Sequence, residues 1–586
     1  MTQTNAHHNF EEHTENPATK VVSMGKDRIM PEGFFFGKNG LNYLDPHNDN
    51  ASPVWICSRL EVTASTRDIH NRNWGRVLEF EDMEGHHKRW TMPMEMLAGR
   101  GEILHSTLLN MGLNLSTSTK AKNLLAQFIQ ACTGQTIAVC VDRIGWFDEC
   151  YVLPDRTLGD TKGKQILLQT EHPDSLGFSQ GGTLTQWRDH VASYAVGNSR
   201  LAFAISASLT APLISLLGIE GGGFHFRGES SQGKTIALYA AGSVWGDHAR
   251  KKMWRATTNG LEQTAFVHND SLLMLDEMGE MNPREIGNAV YMLANGQAKQ
   301  RMTEAQPKQW RLLFLSTGEI DLKTAMLQAG AITKAGQEVR LIDVEAVTGK
   351  HGVFDVLIDG FHCSKDQAEQ LQTNTAQYYG TAGIAFLEKF IANRTEAMAF
   401  IDQTRKSFIE EQEPTGATGQ IKRVLNRFSV VAAGGELASH FGLTGWKEGE
   451  ATQAAIECFK SWLANMDSLT QPQEHQQAIE RIRLFIEQHG ESRFNDLDKS
   501  STESQPVRDR VGYKKLEEGG TVYYFTPAAF RNEVCSGLNW KTVATALKVA
   551  GHLKHQPDRL TNNTPPLEDG KRVSSYAVKS SILGGE

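Results

Sequence analysis

The sequence predicts an α/β P-loop fold for the core of the chain, with a β-rich module before it and a winged-helix domain after it. Three observations lead to this prediction. A glycine-rich loop lies between a strand-like and a helix-like stretch, an apolar run further along ends in two acids, and the last part of the chain has a helix–helix–strand pattern. Alternating apolar residues indicate strands, and apolar residues spaced three and four apart indicate helices.

The glycine-rich loop is the strongest motif in the chain. Its residues are Gly228, Glu229, Ser230, Ser231, Gln232, Gly233, Lys234 and Thr235. They fit the pattern G-x-x-x-x-G-K-[ST], whose backbone N–H groups cradle phosphates at the start of a helix. Lys234 can reach the β- and γ-phosphates and Thr235 can hold Mg²⁺. A glycine-rich turn without a ligand is the alternative, but the strand before the loop and the helix after it favour ATP and Mg²⁺ as bound cofactors.

The apolar run Leu272-Leu-Met-Leu-Asp276-Glu277 supplies the second part of the predicted site. After a phosphate loop, such a run has the Walker B form. Asp276 would hold Mg²⁺ through water, and Glu277 would orient and deprotonate the attacking water. The predicted metal-binding residues are therefore Thr235 and Asp276, and the predicted catalytic residues include Lys234 and Glu277.

A further apolar strand, Arg311–Leu315, ends at Ser316 and Thr317. In ATPases of the additional-strand (AAA+) type, a polar residue at this position senses the γ-phosphate, so we expect Ser316 or Thr317 to do so. A short basic insert before this strand contains Lys299 and Arg301. A DNA-contacting hairpin and a solvated loop are both compatible with the insert.

Arginines downstream are candidates for contacts with phosphate. Arg340, near the start of a strand-like run, is the first candidate for a finger that reaches a neighbouring subunit, and Arg301 is the second. Arg423 and Arg427 lie four residues apart on one face of an amphipathic helix and could place a lid over the phosphates. A structural salt bridge for Arg340, and helix-surface pairing for the other two, are the alternatives.

Length, charge and cysteine content bound the architecture. A chain of 586 residues is too long for one core, and a net charge of −8 argues against a protein coated in basic surface. Seven scattered cysteines without a C-x-x-C pair indicate reduced thiols and a cytoplasmic location. We expect five segments: a flexible lead (1–50), a β-rich module (51–160), the P-loop core (161–350), a helical lid or bundle region (351–470) and a winged-helix-like domain (471–586).

The uncharged stretch Leu201–Ile219 approaches the length that spans a bilayer. Its serines, its proline and its continuation into the strand before the phosphate loop favour a buried helix under the ATPase sheet. Residues 1–30 lack the basic-then-apolar form of a signal peptide. We therefore expect no association with a membrane.

The C-terminal segment has the outline of a winged helix. A strand over 521–525 precedes a helix opened by Thr526-Pro527, and a second helix over 539–551 leads through a loop to a strand over 572–578. Such a domain can place its second helix in a major groove, although some winged helices contact only protein. Its basic residues are Lys541, Lys548, Lys554, His555, Arg559, Lys571 and Arg572.

Together these motifs resemble a known family. The segments that carry the likeness are 225–235, Ser243-Val-Trp-Gly246, Thr257-Thr-Asn-Gly-Leu-Glu262, Asp276-Glu277, Leu293-Ala-Asn-Gly296 and Ser316-Thr-Gly-Glu319, with Trp74-Gly, Arg89-Trp-Thr-Met-Pro93, Gly145-Trp-Phe and Leu153-Pro-Asp155 upstream. They are similar to the domain-of-unknown-function family 927, which phages, plasmids and integrated elements carry. Its best-understood members resemble self-loading replicative helicases of staphylococcal cassette elements, related to the minichromosome-maintenance branch of AAA+ ATPases.

The resemblance implies a hexameric ring with an N-terminal module, a central motor and a C-terminal winged helix. It implies an ATP-driven DNA helicase or translocase of a mobile element, with single-stranded or forked DNA as its partner. A non-unwinding ATPase switch, such as an origin-binding loader, a regulator or a defence ATPase, is the alternative. A DNA-binding adaptor in which nucleotide only stabilises a ring is a third hypothesis.

Overall fold

The computed structural model describes residues 30–132, 136–169, 176–300, 307–330, 335–466, 473–499, 507–536, 538–567 and 570–584. The chain divides into two compact units. The first comprises the chain up to Phe178, together with Phe266–Asp270 and Leu387–Ala392. The second comprises Ser179–Ala265, Ser271–Phe386 and Asn393–Glu586.

The first unit is built mainly from short strands. The strands are β1 (Phe34–Gly37), β2 (Gly40–Tyr43), β3 (Val54–Cys57), β4 (Leu60–Arg67), β5 (Gly75–Glu81), β6 (His87–Pro93), β7 (Ile137–Val141), β8 (Gly145–Phe147), β9 (Cys150–Val152), β10 (Thr157–Gly159) and β11 (Ile166–Leu168), and the helices are α1 (Glu102–Asn110) and α2 (Thr119–Ala131). The sheets have the orders β1-β2-β3, β10-β9-β8 and β11-β7-β4-β5-β6. Of the elements that the structure describes here, eleven are strands, and the last of them, β11, lies past residue 160.

The first sheet corrects the expected extent of the flexible lead. Strands β1 and β2 lie inside the segment 1–50, while residues 1–29 of that segment lie outside the described residues. Phe34 is buried, with its ring centroid 4.9 Å from that of Tyr43 and 5.4 Å from that of Phe128 in α2. Burial of these aromatic side chains offsets the entropy lost by ordering the strands.

The second unit contains a parallel five-stranded sheet. Its strands are β12 (Gly222–Arg227), β13 (Lys251–Met253), β14 (Leu272–Asp276), β15 (Leu313–Gly318) and β16 (Leu341–Glu345), and the helices around them are α3 (Leu184–His190), α4 (Ser199–Thr210), α5 (Lys234–Gly242), α6 (Thr258–Val267), α7 (Pro283–Asn295), α8 (Leu322–Gln328) and α9 (Ala335–Glu338). The sheet order is β13-β14-β15-β12-β16, with every neighbouring pair parallel. The carboxyl ends of all five strands therefore meet at one edge, where ligands bind in open α/β sheets.

Helices follow the sheet, as the pattern over 361–465 predicts. They are α10 (Ser364–Gln377), α11 (Thr381–Ala392), α12 (Arg394–Gln412), α13 (Gly419–His440) and α14 (Glu450–Ala464). Helix α4 packs against α5, α13 and α14, and all of its residues are buried. The first part of the uncharged stretch is therefore a core helix, as expected, whereas the helix ends at Thr210 and residues 211–213 form a 3-10 turn. Within the part of the chain that the structure describes, no helix combines the length and apolar character needed to cross a membrane.

The C-terminal segment forms its own sheet. Its elements are α15 (Gln473–His489), β17 (Phe494–Asp496), β18 (Gly512–Glu517), β19 (Gly520–Phe525), α16 (Pro527–Ala529), which continues into a π-helical turn over Phe530–Val534, α17 (Trp540–Val549), β20 (Leu553–Lys554), β21 (Asn562–Asn563) and β22 (Ser574–Lys579). The strand order is β17-β18-β19-β22-β20, and β21 pairs with β22. The order of helices and strands follows the predicted one, with α15, β17, β18, β20 and β21 in addition. The winged-helix assignment remains a prediction.

Candidate active site

The glycine-rich loop joins β12 to α5 at the carboxyl edge of the parallel sheet. Ser231 and Gly233 have left-handed backbone conformations, with φ of 64° and 86°. A Cβ on Gly233 would lie 2.7 Å from Cγ1 of Val353, so this position requires glycine both for its φ and for the close approach. The backbone N–H of Val353 donates to the carbonyl of Gln232 at 2.9 Å. The segment after β16 therefore packs against the glycine-rich loop and stabilises its conformation.

Lys234 begins α5, and its side chain turns back over the loop. Its Nζ donates to the carbonyl oxygens of Gly228 at 2.7 Å and Glu229 at 2.6 Å, and the residue is 8% exposed. A buried ammonium group requires such partners, because burial without them is costly. The loop thus holds the Lys234 ammonium group against two of its own backbone carbonyls.

Asp276 ends β14, and three side chains from other elements surround its carboxylate. The hydroxyl of Thr235 lies 3.4 Å from both carboxylate oxygens, and the hydroxyl of Thr317 donates a short hydrogen bond to Oδ1. The Nζ of Lys251 in β13 forms an ion pair with Oδ2 at 2.6 Å. The side chain of Asp276 is only 9% exposed. The predicted metal-binding pair is thus brought together, and a lysine neutralises its carboxylate.

Sequence analysis missed Lys251. Burial lowers the pKa of Lys251, but the hydrogen bond and charge of Asp276, with a smaller effect of Tyr239, raise it by more, so the pKa lies above its ordinary value. The ammonium group therefore stays charged beside Asp276. Strand β13 has only three residues, too few for a periodic pattern, and its pairing with β14 joins residues distant in sequence. No local signal could have identified this contact.

Glu277 follows Asp276 in a left-handed backbone conformation with φ of 59°. For a residue other than glycine this costs about 1–2 kcal/mol, and such strain concentrates at functional sites. Its backbone N–H donates to the Thr317 hydroxyl at 3.3 Å. Burial raises the pKa of Glu277, the charge of Lys234 opposes this, and nearby acids raise the pKa further, so it lies above its ordinary value. A carboxylate of raised pKa is a better proton acceptor near neutral pH.

The two candidate sensor residues occupy different environments. The hydroxyl of Ser316 is fully buried, accepts a hydrogen bond from Trp254 Nε1 at 2.8 Å and lies 2.9 Å from Nδ1 of His225. The other nitrogen of His225 donates to the carbonyl of Ile320, so Nδ1 accepts from Ser316. Burial lowers the pKa of His225 to about 4, which keeps the ring neutral. Ser316 therefore belongs to a buried polar network, and Thr317 is the residue placed beside both acids.

The arginines do not converge on the phosphate loop. Arg427 donates to the carbonyls of Val339 and Gly221, which precede β16 and β12, at 2.7 and 3.1 Å. These positions are at the amino edge of the sheet, about 20 Å along the strands from the loop, at 3.3 Å per residue. Arg423, one turn earlier on the same helix, lines a cavity together with Arg427 and Arg340. The expected lid over the phosphates is therefore not formed by Arg423 or Arg427 of the chain that carries the loop.

Arg340 also lies at the amino edge, directly before β16. Its Nε donates to Asn295 Oδ1 at 3.0 Å, its Nη1 donates to the carbonyl of Gly336 at 2.6 Å, and its guanidinium carbon lies 4.5 Å from the ring centroid of Tyr291. The strand-like run containing it is divided, because residues 335–338 form α9 and the strand begins only at Leu341. Arg301 lies outside the described residues.

Comparisons with known proteins agree with the resemblance inferred from the motifs. Residues 34–307 match the family described as "Domain of unknown function (DUF927)", a range that includes the loop and both Walker B acids. A solved structure titled "SCCmec type IV Cch - active helicase" has a similar fold, with a TM-score of 0.65 and 18% sequence identity over 94% of this chain and 99% of that one. No curated protein matches the chain. The resemblance to family 927 and to a cassette-element helicase is confirmed, and at this identity the structural likeness concerns the fold.

Proposed function

We propose that this protein is an ATP-dependent DNA helicase or translocase of a phage, plasmid or integrated mobile element, acting in the cytoplasm as a hexameric ring. The observation that carries the proposal is the convergence of Lys234, Thr235, Asp276 and Glu277 at the carboxyl edge of one parallel sheet. Similarity of fold to a structure titled as an active helicase supports the same reading.

The loop fits the phosphates of ATP. Its Ser231 and Gly233 conformations turn backbone N–H groups toward one concave surface, and the dipole at the start of α5 favours anions there. In this proposal Lys234 exchanges its hydrogen bonds with the Gly228 and Glu229 carbonyls for phosphate oxygens. The exchange conserves the number of hydrogen bonds and adds a favourable charge interaction.

Thr235 and Asp276 fit Mg²⁺, because a hydroxyl and a carboxylate 3.4 Å apart supply the oxygen ligands that this ion prefers. When bound, Mg²⁺ would neutralise charge on the transferred phosphoryl group. Thr317 holds Asp276 in place by its hydrogen bond to Oδ1. Glu277 orients the attacking water and accepts its proton, a role that its raised pKa favours.

Contacts with DNA and with a neighbouring subunit complete the proposal. Arg340, or Arg301, is proposed as the finger that stabilises charge on ATP held by the adjacent copy. Exposed Lys299 lies in the insert before β15, where a hairpin could follow one DNA strand. The basic residues around α17, including Lys541 and Lys548, offer a second DNA-contacting surface. Binding through these cations should weaken as salt is raised.

The experiment that tests the proposal measures ATP turnover with and without single-stranded and forked DNA, together with strand displacement. A helicase shows turnover stimulated by DNA and displacement that depends on ATP. Lys234→Ala should lose both. Glu277→Gln should still bind a fluorescent ATP analogue while turnover falls by about 10²–10⁴-fold, the usual contribution of a general base. Unchanged turnover in Glu277→Gln would show that another group takes the proton.

The alternatives give other results in the same assay. A non-unwinding switch, such as a loader, regulator or defence ATPase, hydrolyses ATP without displacing a strand. An adaptor that uses nucleotide only to stabilise a ring binds DNA, but its ATP turnover does not respond to DNA.

A further inference from the structure

A cavity of about 360 Å³ lies at the amino edge of the parallel sheet, opposite the phosphate loop. Three parts of the second unit form its walls: the turn before β12, the turn before β16, and helices α12 and α13. The lining residues are Leu217, Gly218, Ile219, Glu220, Val339, Arg340, Arg405, Arg423, Asn426 and Arg427. Four arginines thus line one cavity, with a single acidic residue, Glu220, among the described residues that line it.

The four arginines are held to different degrees. Arg427 forms the buried end of the cluster, 7% exposed and bonded to two carbonyls, and Gly222 next to its guanidinium leaves no room for a Cβ. Arg405 donates to Asn426 Oδ1 at 3.1 Å and lies 3.5 Å from Asp402. Arg423 is exposed and makes no hydrogen bond or ion pair with any residue that the structure describes.

Cations crowded in this way repel one another. Burial lowers the pKa of Arg427, the charge of Glu220 raises it and the charge of Arg340 lowers it by less, so that the pKa is about 10. Arg423 and Arg427 are four residues apart on α13, a spacing at which like charges destabilise a helix. A bound anion would remove this repulsion.

The shape and lining of the cavity limit the class of anion. Its volume is at the lower end of the range for small-molecule sites. Single-stranded nucleic acid is usually held by aromatic side chains on which bases stack, and none of the described residues that line this cavity is aromatic. Planar guanidinium groups match phosphate oxygens in pairs.

We propose that this cavity is a second phosphate-binding site, which takes a small oligophosphate such as pyrophosphate or the phosphates of a nucleotide. Arg340, held by Gly336 and Asn295, and Arg405, held by Asn426, form fixed walls. Arg423 is the side chain that turns onto the ligand. The site shares no residue with the phosphate loop, and because it shares Arg340 with the proposed finger, its test changes Arg423 instead.

Isothermal titration of the full-length chain with pyrophosphate, in buffer without Mg²⁺, tests the proposal. All variants carry Lys234→Ala, which weakens the phosphate loop, so that the cavity is measured by itself. Arg423→Gln should weaken pyrophosphate binding about tenfold, the loss expected for one charge-assisted contact. The matched control is Lys422→Gln, which removes the same charge from the adjacent residue of α13, where Lys422 pairs with Glu413 at 2.7 Å. This control should bind as tightly as its parent.

Two further measurements, dilution and competition with single-stranded DNA, distinguish a free oligophosphate from the phosphates of DNA and from a site completed by a second copy. Stoichiometry of one pyrophosphate per chain that persists on dilution supports a free ligand, whereas binding that disappears on dilution would mean that a neighbouring copy completes the site, and would overturn the proposal. Displacement of pyrophosphate by unlabelled single-stranded DNA at stoichiometric concentration would also overturn it, in favour of a DNA-backbone contact. Equal weakening by the two glutamine variants would show only general charge attraction, and absence of binding to the Lys234→Ala chain would show that the cavity takes no pyrophosphate; either result would overturn the proposal. ATP turnover of the otherwise unmodified protein reports on the proposed function separately.

Discussion

Replacing Lys251 by methionine should destabilise the parallel sheet of the second unit and increase its response to Mg²⁺. Methionine keeps the length of the side chain but removes the cation 2.6 Å from Asp276 Oδ2. Removing one partner of a fully buried ion pair costs about 3–5 kcal/mol. Here Lys251 is 21% exposed and Asp276 keeps its hydrogen bond from Thr317, so we expect a loss of about 2 kcal/mol in the free energy of unfolding.

Thermal unfolding with and without millimolar Mg²⁺ measures this effect. A loss of about 2 kcal/mol corresponds to a fall in Tm of about 4–8 °C for a domain of about 150–250 residues. Mg²⁺ should restore more of the Tm in Lys251→Met than it adds to the wild type, because a ligand stabilises the state that binds it and the carboxylate no longer has a competing cation. The control is Lys252→Met, since Nζ of Lys252 donates to the carbonyl of Ala249 at 3.2 Å. Equal Tm changes in both variants, or no additional response to Mg²⁺, would refute the reasoning.

Two further predictions concern His225 and Gly233. Because burial lowers the pKa of His225 from 6.5 to about 4, only the unfolded ring takes up a proton in that window, so stability is full above pH 6.5 and is lost as the pH falls toward 4. Denaturant unfolding at pH 7 and pH 5 should show a loss about 2 kcal/mol larger in the wild type than in His225→Gln, and equal losses would contradict the assignment. Gly233→Ala should weaken binding of a fluorescent ATP analogue about tenfold or more. The new Cβ would lie 2.7 Å from Val353, and alanine is also strained at the positive φ of this position. Gly330→Ala, with φ of 69° and nothing within 4 Å of the new Cβ, shares only the backbone strain and should retain binding.

Much of the candidate active site could be predicted because its signals are local. The loop, the strand before it and the helix after it are continuous in sequence, and the run from Leu272 to Asp276 is apolar throughout because that strand is buried on both faces. The structure brings Thr235 and Asp276 together as expected from the topology of parallel sheets. The helices over 361–465 were equally evident from their apolar spacing.

The sequence predicts less where the role of a residue depends on which face of its strand or helix it occupies. Ser316 and Thr317 are neighbours in one strand and are both fully buried, but their side chains point to opposite faces. Only packing determined that Ser316 meets Trp254 and His225 while Thr317 meets Asp276. The sequence shows that Arg423 and Arg427 share one face of α13, but it does not show which surface that face contacts. The helix lies at the amino edge of the sheet, so its arginines meet Arg340 and not the loop.

The sequence by itself determined the phosphate loop, the acidic strand end, the buried helix α4 and the alternation of helices and strands, because each depends on backbone conformation or burial within a short segment. Tertiary structure alone decided that Lys251 neutralises Asp276, that Thr317 lies beside both acids, and that four arginines share one cavity. These contacts join segments far apart in the chain. Their distances are set by the order of strands in the sheet and by side-chain packing, neither of which leaves a periodic pattern in the sequence.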